Sequence, residues 1–361
     1  MNKNYLLIAL LLFSFGYAQI PSGYYDNATG TGYTLKTQLY NIIKGHNTKS
    51  YNALYTCYMT SDRDYYYEND GTVLDMYSEN PTAKDPYNFT ATVTDGDHCG
   101  NYSNEGDCYN REHIVPQSVF NEASPMVSDP QCIVPTDGKV NGYRSSFPHG
   151  MVGNVTRTMK NGSKLGSASN SGYAAGYSGT VFEPIDEFKG DIARMYFYFA
   201  TRYENLVAGY TYAMFNNTKN QVFTATFLEI LKQWDKMDPV NQREIDRNNA
   251  IYNFQNNRNP YIDHPEYVEA VWGKTLSTST YDLLANISVY PNPTSNHKIN
   301  IDSENELDEI QLININGQLM QSIKKPVSIN HSYTLENLPN GFYFLKLSSK
   351  NQSVVKKIIV N

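Results

Sequence analysis

Apolar residues recur at helical spacing through roughly the first three quarters of the chain. Four runs have apolar positions three or four residues apart, and they cover residues 35–43, 191–207, 223–234 and 241–254. Residues 162–179 lack this spacing and are rich in Gly, Ser and Ala, so we expect an exposed, mobile loop there. This part of the chain is therefore predicted to be mostly helical, with a few strands.

From about residue 284 the spacing changes to alternation of apolar and polar residues. The alternating runs cover residues 310–315, 342–347 and 354–360, with turns at Asn316-Gly317 and at residues 339–341 between them. Short alternating strands joined by tight turns are typical of a small all-β, sandwich-like module. A chain of 361 residues also exceeds the usual size of one core. We therefore predict an α+β protein with one domain at 19–283 and another at 284–361.

The first eighteen residues follow a third pattern. Lys3 precedes an apolar run over residues 6–15, and Gly16-Tyr17-Ala18 follows it, which is the order of a secretory signal. The run is shorter than the stretch of about 20 apolar residues that a membrane-spanning helix needs, and no later segment comes close. We predict a signal peptide over 1–18, no membrane span, and a mature protein outside the cytoplasm.

Four cysteines lie in the part of the chain that precedes residue 133, namely Cys57, Cys99, Cys108 and Cys132. In an exported protein this predicts disulfide bonds, with three possible pairings of the four thiols. The alternative is a zinc site that joins three of these cysteines to His98, although the Cys-x-x-Cys spacing typical of structural zinc sites is missing.

The formal net charge of −7 is unusual for a protein that binds nucleic acid, but the charge is unevenly distributed. Residues 19–110 carry 12 acidic and 5 basic side chains, whereas residues 111–283 carry 18 acidic and 16 basic ones. Any basic surface must therefore be local and lie after residue 110.

Hydrolysis of a phosphodiester requires a base, a cation and a group that stabilises the leaving oxygen, and Glu112, His113 and Asn141 can supply the first two of these. A neutral histidine can accept the proton of an attacking water, since its ordinary pKa is about 6.5. Mg²⁺ prefers oxygen ligands, and the Glu112 carboxylate and the Asn141 amide oxygen fit that preference. A Glu-His pair alone is weak evidence, because a single histidine is more often structural.

Residues 108–118, Cys-Tyr-Asn-Arg-Glu-His-Ile-Val-Pro-Gln-Ser, resemble the signature of the endonuclease I family, which belongs to the histidine-metal finger (ββα-metal) nucleases. Further similar stretches follow in order at 134–145, 182–184, 189–194 and 255–260, so the resemblance covers most of residues 30–270. It implies a ββα-metal finger with His113 as general base and with Glu112 and Asn141 as ligands of Mg²⁺ or another divalent ion.

The resemblance also implies an arginine on the scissile phosphate, yet no arginine lies between His113 and Asn141. Thr136 or Asp137 can cap a helix that begins near Gly138, which would place Asn141 and Arg144 on one face. We assign Arg144 a catalytic contact with phosphate, and the alternative is a salt bridge that holds the finger together. The other candidates for the phosphate contact are Lys139 and Arg258.

The adjacency of Glu112 and His113 sets a geometric condition. Neighbouring residues on a regular strand point to opposite faces, so both can face one phosphate only if the chain bends or bulges between them. On an undistorted strand, Glu112 would lose its place as a metal ligand.

The C-terminal module resembles the sorting domain of type IX secretion at three places, residues 289–294, 338–343 and 356–360. This resemblance implies an address that the type IX secretion machinery reads, and a secreted or cell-surface protein. A carbohydrate-binding or adhesive sandwich is the alternative, but the sequence shows no pattern of aromatic residues that would form a binding platform.

The leading hypothesis is a secreted, monomeric, Mg²⁺-dependent endonuclease that cleaves DNA, with RNA as an alternative substrate. Low sequence specificity is expected, because no recognition-helix pattern is present and binding would involve the phosphate backbone. A hydrolase of other phosphodiesters and a non-catalytic secreted interaction protein on a nuclease-like scaffold are the alternatives. The H-E-x-x-H and G-x-S-x-G motifs are absent, which is evidence against a peptidase.

Overall fold

The computed structural model describes residues 20–94, 96–273, 287–349 and 352–361. The predicted signal peptide and the predicted domain boundary at residue 284 lie outside these ranges. The chain forms two compact units, the first ending at Gly273 and the second beginning at Lys274. Over the described ranges, no helix has both the length and the apolar character needed to cross a membrane.

The first unit is mostly helical. Its α-helices within the described ranges are α1 (Gly32–Ile43), α2 (Ala53–Ser61), α3 (Gly138–Arg144), α4 (Lys189–Arg202), α5 (Ala225–Met237), α6 (Gln242–Gln255), α7 (Pro260–Asp263) and α8 (Glu266–Trp272). Short 3₁₀ turns lie at Gln117–Phe120, Met126–Ser128, Gly172–Ala174, Asp186–Phe188 and Val207–Gly209. The four predicted helical runs correspond to α1, α4, α5 and α6.

Helix α4 forms the centre of this unit and is buried along its whole length. It ends at Arg202, before the predicted end at residue 207. Because every face is covered, its charged side chains find partners on neighbouring helices: Arg194 pairs with Glu244 of α6 at 2.7 Å and with Asp235 of α5 at 2.9 Å. These ion pairs tie α4 to the two helices that follow it.

Two small antiparallel sheets complete the first unit. One pairs β1 (Tyr109–His113) with β2 (Ile133–Asp137), and the other has the order β3 (Val152–Thr158), β4 (Lys164–Ala168), β5 (Thr180–Glu183). The predicted loop over 162–179 was therefore wrong for Lys164–Ala168, which form the central strand of the second sheet, whereas residues 169–179 lie between strands. The small residues of β4 permit close pairing: a Cβ on Gly166 would lie 2.1 Å from the Asn154 main-chain oxygen.

The second unit is all-β within its described residues. The strands are β6 (Ser288–Tyr290), β7 (Ile299–Asp302), β8 (Glu309–Asn314), β9 (Leu319–Lys324), β10 (Ser332–Leu335), β11 (Gly341–Ser349) and β12 (Gln352–Val360). They form two antiparallel sheets, β10-β7-β6 and β12-β11-β8-β9. Both sheets contribute to one separate core, with Ile299 and Ile301 from the first and Leu345 and Leu347 from the second. The predicted α+β class, with a helical part followed by a small all-β part, is confirmed.

Candidate active site

The strands β1 and β2 and the helix α3 form the ββα finger. The strands pair antiparallel from Tyr109 opposite Asp137 to His113 opposite Ile133. Asp137 ends β2 and caps α3, because its Oδ1 accepts the N–H of Val140 at 2.8 Å. The cap lets the helix begin directly after the strand, which fixes the position of the next residues of α3 relative to β1.

His113 is the last residue of β1, and only 5% of its surface is exposed. Its Nε2 lies 3.2 Å from the carbonyl oxygen of Val127, and its ring packs between Tyr51 and Phe120. A carbonyl can only accept, so we infer that Nε2 carries the proton and Nδ1 carries the free lone pair. Burial lowers the pKa of His113 to about 4, which keeps the ring neutral at physiological pH.

Asn141 lies on the first turns of α3 and faces β1. Its Nδ2 donates to Oδ1 of Asn110 at 2.7 Å and to the main-chain oxygen of Arg111 at 3.3 Å. These two bonds orient the amide, and within the described residues its Oδ1 accepts no hydrogen bond. The amide oxygen is therefore left as a free oxygen donor in the site.

Glu112 is almost completely buried, with 1% of its surface exposed. Its Oε1 accepts the hydroxyl of Tyr77 at 2.9 Å and lies 3.1 Å from Nη1 of Arg144. Burial raises the pKa of Glu112, and the Arg144 guanidinium and the Tyr77 hydroxyl partly offset that rise.

The bulge that would turn Glu112 and His113 to one face is not present. The ladder between β1 and β2 runs through both residues without a register shift. The condition that the sequence set for Glu112 as a metal ligand is therefore not met by the backbone, although Glu112, His113 and Asn141 all line one cleft. The three side chains are thus brought to one cavity without a distorted strand.

Arg144 forms a salt bridge with Glu112, as in the alternative to a phosphate contact that the sequence left open. Its Nη1 donates to the main-chain oxygen of His113 at 2.8 Å, and its Nη2 donates to that of Ile114 at 2.6 Å. With Glu112 beside Nη1, both terminal nitrogens are engaged, and only 1% of the residue is exposed. Arg258, the other candidate arginine, pairs with Asp263 at 2.6 Å and is not among the described residues that line the cleft.

The cleft has a volume of about 860 Å³ and contains a second arginine that the sequence did not single out. The guanidinium of Arg111 lies 3.5 Å from the ring centre of Tyr51 and 4.6 Å from that of Tyr55. Its Nη1 donates to the Tyr51 carbonyl and to Oδ1 of Asn52, at 3.1 Å each, and its Nε has no hydrogen-bond partner in the described part of the chain. Unlike Arg144, Arg111 has no carboxylate partner among the ion pairs of the described residues.

A buried chain of hydrogen bonds, which the sequence did not predict, supports Glu112 through Tyr77. His149 Nδ1 lies 3.4 Å from Nη2 of Arg144 and 2.9 Å from the Tyr196 hydroxyl, and its Nε2 lies 2.9 Å from the Tyr77 hydroxyl. Arginine can only donate, so Nδ1 accepts and Nε2 donates to Tyr77, whose own proton goes to Glu112. Burial, together with Arg144, lowers the pKa of His149 well below its ordinary value.

A disulfide closes one wall of the cleft. Cys99 bonds to Cys108, whereas Cys57 and Cys132 are buried free thiols. The eight residues between the bonded cysteines include Gly100 and Tyr102, which line the cleft. The bond consumes two of the thiols that the alternative zinc site requires, so that site is not formed.

The chain was compared with known families and proteins. Residues 31–266 match the Endonuclease I family, and residues 288–361 match the secretion system C-terminal sorting domain. The chain is 34% identical to the extracellular ribonuclease of Bacillus amyloliquefaciens over 256 residues, which cover 69% of this chain and 78% of that protein. The extracellular ribonuclease of Bacillus subtilis matches with the same identity and coverage. Endonuclease-1 of Buchnera aphidicola is 27% identical over 135 residues, which cover 37% of this chain and 44% of that protein.

The family match covers the finger, the cleft and the helices that support them. The sorting-domain match covers the described part of the second unit from residue 288 onward. The chain therefore belongs to the endonuclease I family and is a nuclease with a C-terminal sorting domain, directed to secretion or to the cell surface.

Proposed function

We propose that this nuclease is a metal-dependent endonuclease that hydrolyses internal phosphodiester bonds of DNA and RNA, acts as a monomer and has little sequence preference. The observation that carries the proposal is the convergence of His113, Glu112 and Asn141 on one cleft. A neutral imidazole, a carboxylate and a free amide oxygen at one place are suited to metal-assisted hydrolysis of a phosphodiester.

The residues present fit a hard divalent cation. The Asn141 amide is oriented by two hydrogen bonds with its oxygen free, and the Glu112 carboxylate, which lines the same cleft, is a second oxygen donor. Mg²⁺ commonly takes one or two protein oxygens and keeps several waters, so this donor set suits it. When bound, the cation would offset the negative charge that grows on the phosphate oxygens.

His113 acts as the general base. Its Nδ1 accepts the proton of the attacking water, while the bond from Nε2 to Val127 holds the ring and fixes the tautomer. Because the ring is buried and neutral, it is available to accept a proton throughout the physiological pH range.

The two arginines divide the supporting roles. Arg144 is a positioning residue, because its terminal nitrogens hold Glu112 and the main chain of His113 and Ile114. Arg111 contacts the phosphate backbone, since its guanidinium lies in the cleft without a carboxylate partner among the described residues. This differs from the expectation that Arg144 makes the phosphate contact.

Basic and aromatic side chains continue beside α3. The Nζ of Lys139 lies 5.2 Å from the ring centre of Tyr143, and the guanidinium of Arg157 lies 4.1 Å from the same ring centre. Such a local basic cluster suits backbone-directed binding despite the negative net charge. The relatives named extracellular ribonuclease and Endonuclease-1 support the inclusion of RNA and DNA as substrates.

The test is cleavage of supercoiled plasmid and of a structured RNA by the full chain, with Mg²⁺ and with chelator. We expect cleavage of both substrates, its loss in chelator, and a fall in kcat of about 10²- to 10⁴-fold in His113→Ala, the usual contribution of a general base. His331→Ala is the matched control, because His331 is exposed in the second unit and should leave activity unchanged.

Full activity in chelator, or in His113→Ala, would refute this mechanism. Cleavage of neither nucleic acid under any metal condition would instead favour a non-catalytic role for the scaffold.

A further inference from the structure

A second group of carboxylates lies outside the cleft, on the segment between α2 and β1. Asp64, Glu68 and Glu79 each offer an oxygen, and these oxygens all lie within 4.8 Å of one another. The described lining of the cleft includes none of the three. The group, here called the loop carboxylates, therefore has no part in the nuclease chemistry proposed above.

The main chain holds Asp64 in a fixed position. Its Oδ1 accepts the N–H groups of Tyr66 and Tyr67, and its Oδ2 accepts that of Asn69, all at 3.0 Å. Main-chain hydrogen bonds from Gly71 to Asp64 and from Asp64 to Thr72, both 2.9 Å, close the loop. The carboxylate is thus ordered by its own loop before any ligand binds.

Glu79 is the member of the group that requires a partner. It is 1% exposed, and in the described part of the chain its buried Oε1 has no hydrogen-bond partner. A buried carboxylate without a partner is strongly unfavourable unless a cation or a proton neutralises it. Burial raises the pKa of Glu79 to about 9, and the neighbouring charges that act on it most, Asp85, Glu68, Asp64 and Asp75, are all acidic. No nearby basic side chain among those contributors supplies the missing charge.

We propose that Asp64, Glu68 and Glu79 bind a calcium ion that is distinct from the catalytic metal. Three carboxylates are hard oxygen donors of the kind that Ca²⁺ prefers. Ca²⁺ accepts oxygens at about 2.3–2.6 Å, so two of its ligands can lie up to about 5 Å apart, and the oxygens of the loop carboxylates, all within 4.8 Å of one another, meet that limit. Water would complete the shell. Extracellular calcium sites typically have Kd values of about 10⁻⁴–10⁻³ M, which suits a secreted protein.

The position of Glu79 connects this site to the finger. Two residues earlier, Tyr77 donates to Glu112, and Asp75 accepts the N–H of Asp137 through Oδ2 at 2.8 Å. Residues 75–79 are thus bonded to the finger at one end and contribute a calcium ligand at the other. Calcium stabilises the support of the active site without touching the substrate.

The test uses the purified full-length protein, freed of metal with a chelator and then held at constant Mg²⁺. We expect CaCl₂ titration to show one bound ion per chain by calorimetry and to raise Tm by several degrees once calcium reaches about ten times its Kd. Glu79→Gln and Glu68→Gln should each weaken calcium binding by at least about tenfold, because each removes one charged ligand. Glu68 is exposed, so its variant tests the site even if Glu79→Gln folds poorly.

Two controls separate this site from the catalytic one and from general charge effects. Asp26→Asn removes an exposed carboxylate elsewhere in the first unit and should retain the full calcium response. Asn141→Ala removes a proposed catalytic ligand and should also retain it. The proposal is overturned if calcium changes neither the heat signal nor Tm of the wild-type protein, or if Glu68→Gln and Glu79→Gln respond to calcium as the wild type does. A Tm rise that Mg²⁺ alone produces in full would overturn the assignment to calcium.

Discussion

Arg111 and Arg144 line the same cleft, yet their surroundings differ, which is why we propose different roles for them. Arg144 is enclosed and donates to two main-chain carbonyls, whereas Arg111 is half-buried and lies against the rings of Tyr51 and Tyr55. A guanidinium with its donors already engaged holds structure, and one without a carboxylate partner is available to phosphate. The environment of each side chain, and not the residue type, decides between these functions.

Replacement of Arg111 by alanine is expected to reduce kcat/KM for plasmid DNA by about 10- to 100-fold, the usual effect of a lost charge-assisted contact. The loss should appear mainly in KM, and the slope of log kcat/KM against log salt should fall by about 1. Steady-state cleavage at several NaCl concentrations measures both quantities. Lys44→Ala, at an exposed position after α1, should leave the salt slope unchanged. An unaltered slope in Arg111→Ala would contradict the phosphate contact.

The sequence was sufficient to predict where His113 and Asn141 lie but not how Arg111 is placed. The cap at Asp137 and the start of α3 are local features, so the sequence positions Asn141 next to β1. The partners of Arg111 lie 59 and 60 residues earlier in the chain. Contacts between residues so far apart cannot be predicted from the spacing of neighbouring residues. The same holds for Tyr77 and His149, which meet across 72 residues.

At the scale of elements, His149 fastens the finger to its surroundings. It links Arg144 of α3 to Tyr196 of α4 and, through Tyr77, to the segment that precedes β1. Protonation of its ring would remove the acceptor at Nδ1 and place a second cation next to Arg144. The neutral form of His149 is therefore part of the folded structure.

This link predicts a pH dependence of stability. The folded-state pKa of His149 lies well below its unfolded value of about 6.5, so its contribution is complete above about pH 6.5 and is lost as the pH falls towards the folded pKa. Between about pH 6 and 4.5, the free energy of unfolding of the wild type should fall by up to about 1.4 kcal/mol per pH unit more than that of His149→Gln. Urea unfolding followed by tryptophan fluorescence measures the difference.

His46 and His113 also have lowered pKa values through burial, and burial raises the pKa values of Asp75 to about 8 and of Glu79 to about 9. These groups are present in both the wild type and His149→Gln, so their contributions to the pH dependence of stability cancel in the comparison. Exposed His331→Gln should follow the wild-type curve. Parallel curves for the wild type and His149→Gln would refute the prediction.

Periodicity predicted the existence of the long helices better than their ends or the short strands. Helix α4 stops at Arg202, and residues 203–206, which looked helical, form turns that lead into the 3₁₀ turn at Val207–Gly209. Strand β4 was read as a loop because Gly and Ser carry no apolar signal, and the reason for these small residues is the approach of Asn154 from the neighbouring strand. Such contacts arise only after the sheet has formed.

At the scale of the whole molecule, each unit has its own hydrophobic core. The core of the first unit extends to Trp272 at the end of α8, whose ring centre lies 4.6 Å from that of Phe197. A unit that encloses its own apolar side chains is expected to fold without the other.

A chain that ends at Gly273 should therefore retain kcat/KM for plasmid cleavage within about twofold and unfold in one cooperative transition. A matched chain that ends at Pro265 lacks α8 and Trp272, and it should lose about 3–5 kcal/mol of stability, the cost of removing a buried tryptophan. Activity assays and urea unfolding of both chains check this. Loss of activity in the longer truncation would show that the second unit contributes to the nuclease.

The disulfide between Cys99 and Cys108, which lies at the cleft, can form only in some of the compartments that an exported protein passes through. Such bonds form in oxidising compartments. In the cytoplasm, where the chain is made, the two cysteines are kept reduced. The wall that includes Gly100 and Tyr102 is therefore tied in place only after export. While the newly made chain is still close to the chromosome and the ribosomes of its own cell, the cleft lacks this cross-link, and the cross-link forms only after the nuclease has left the nucleic acids that the cell must preserve.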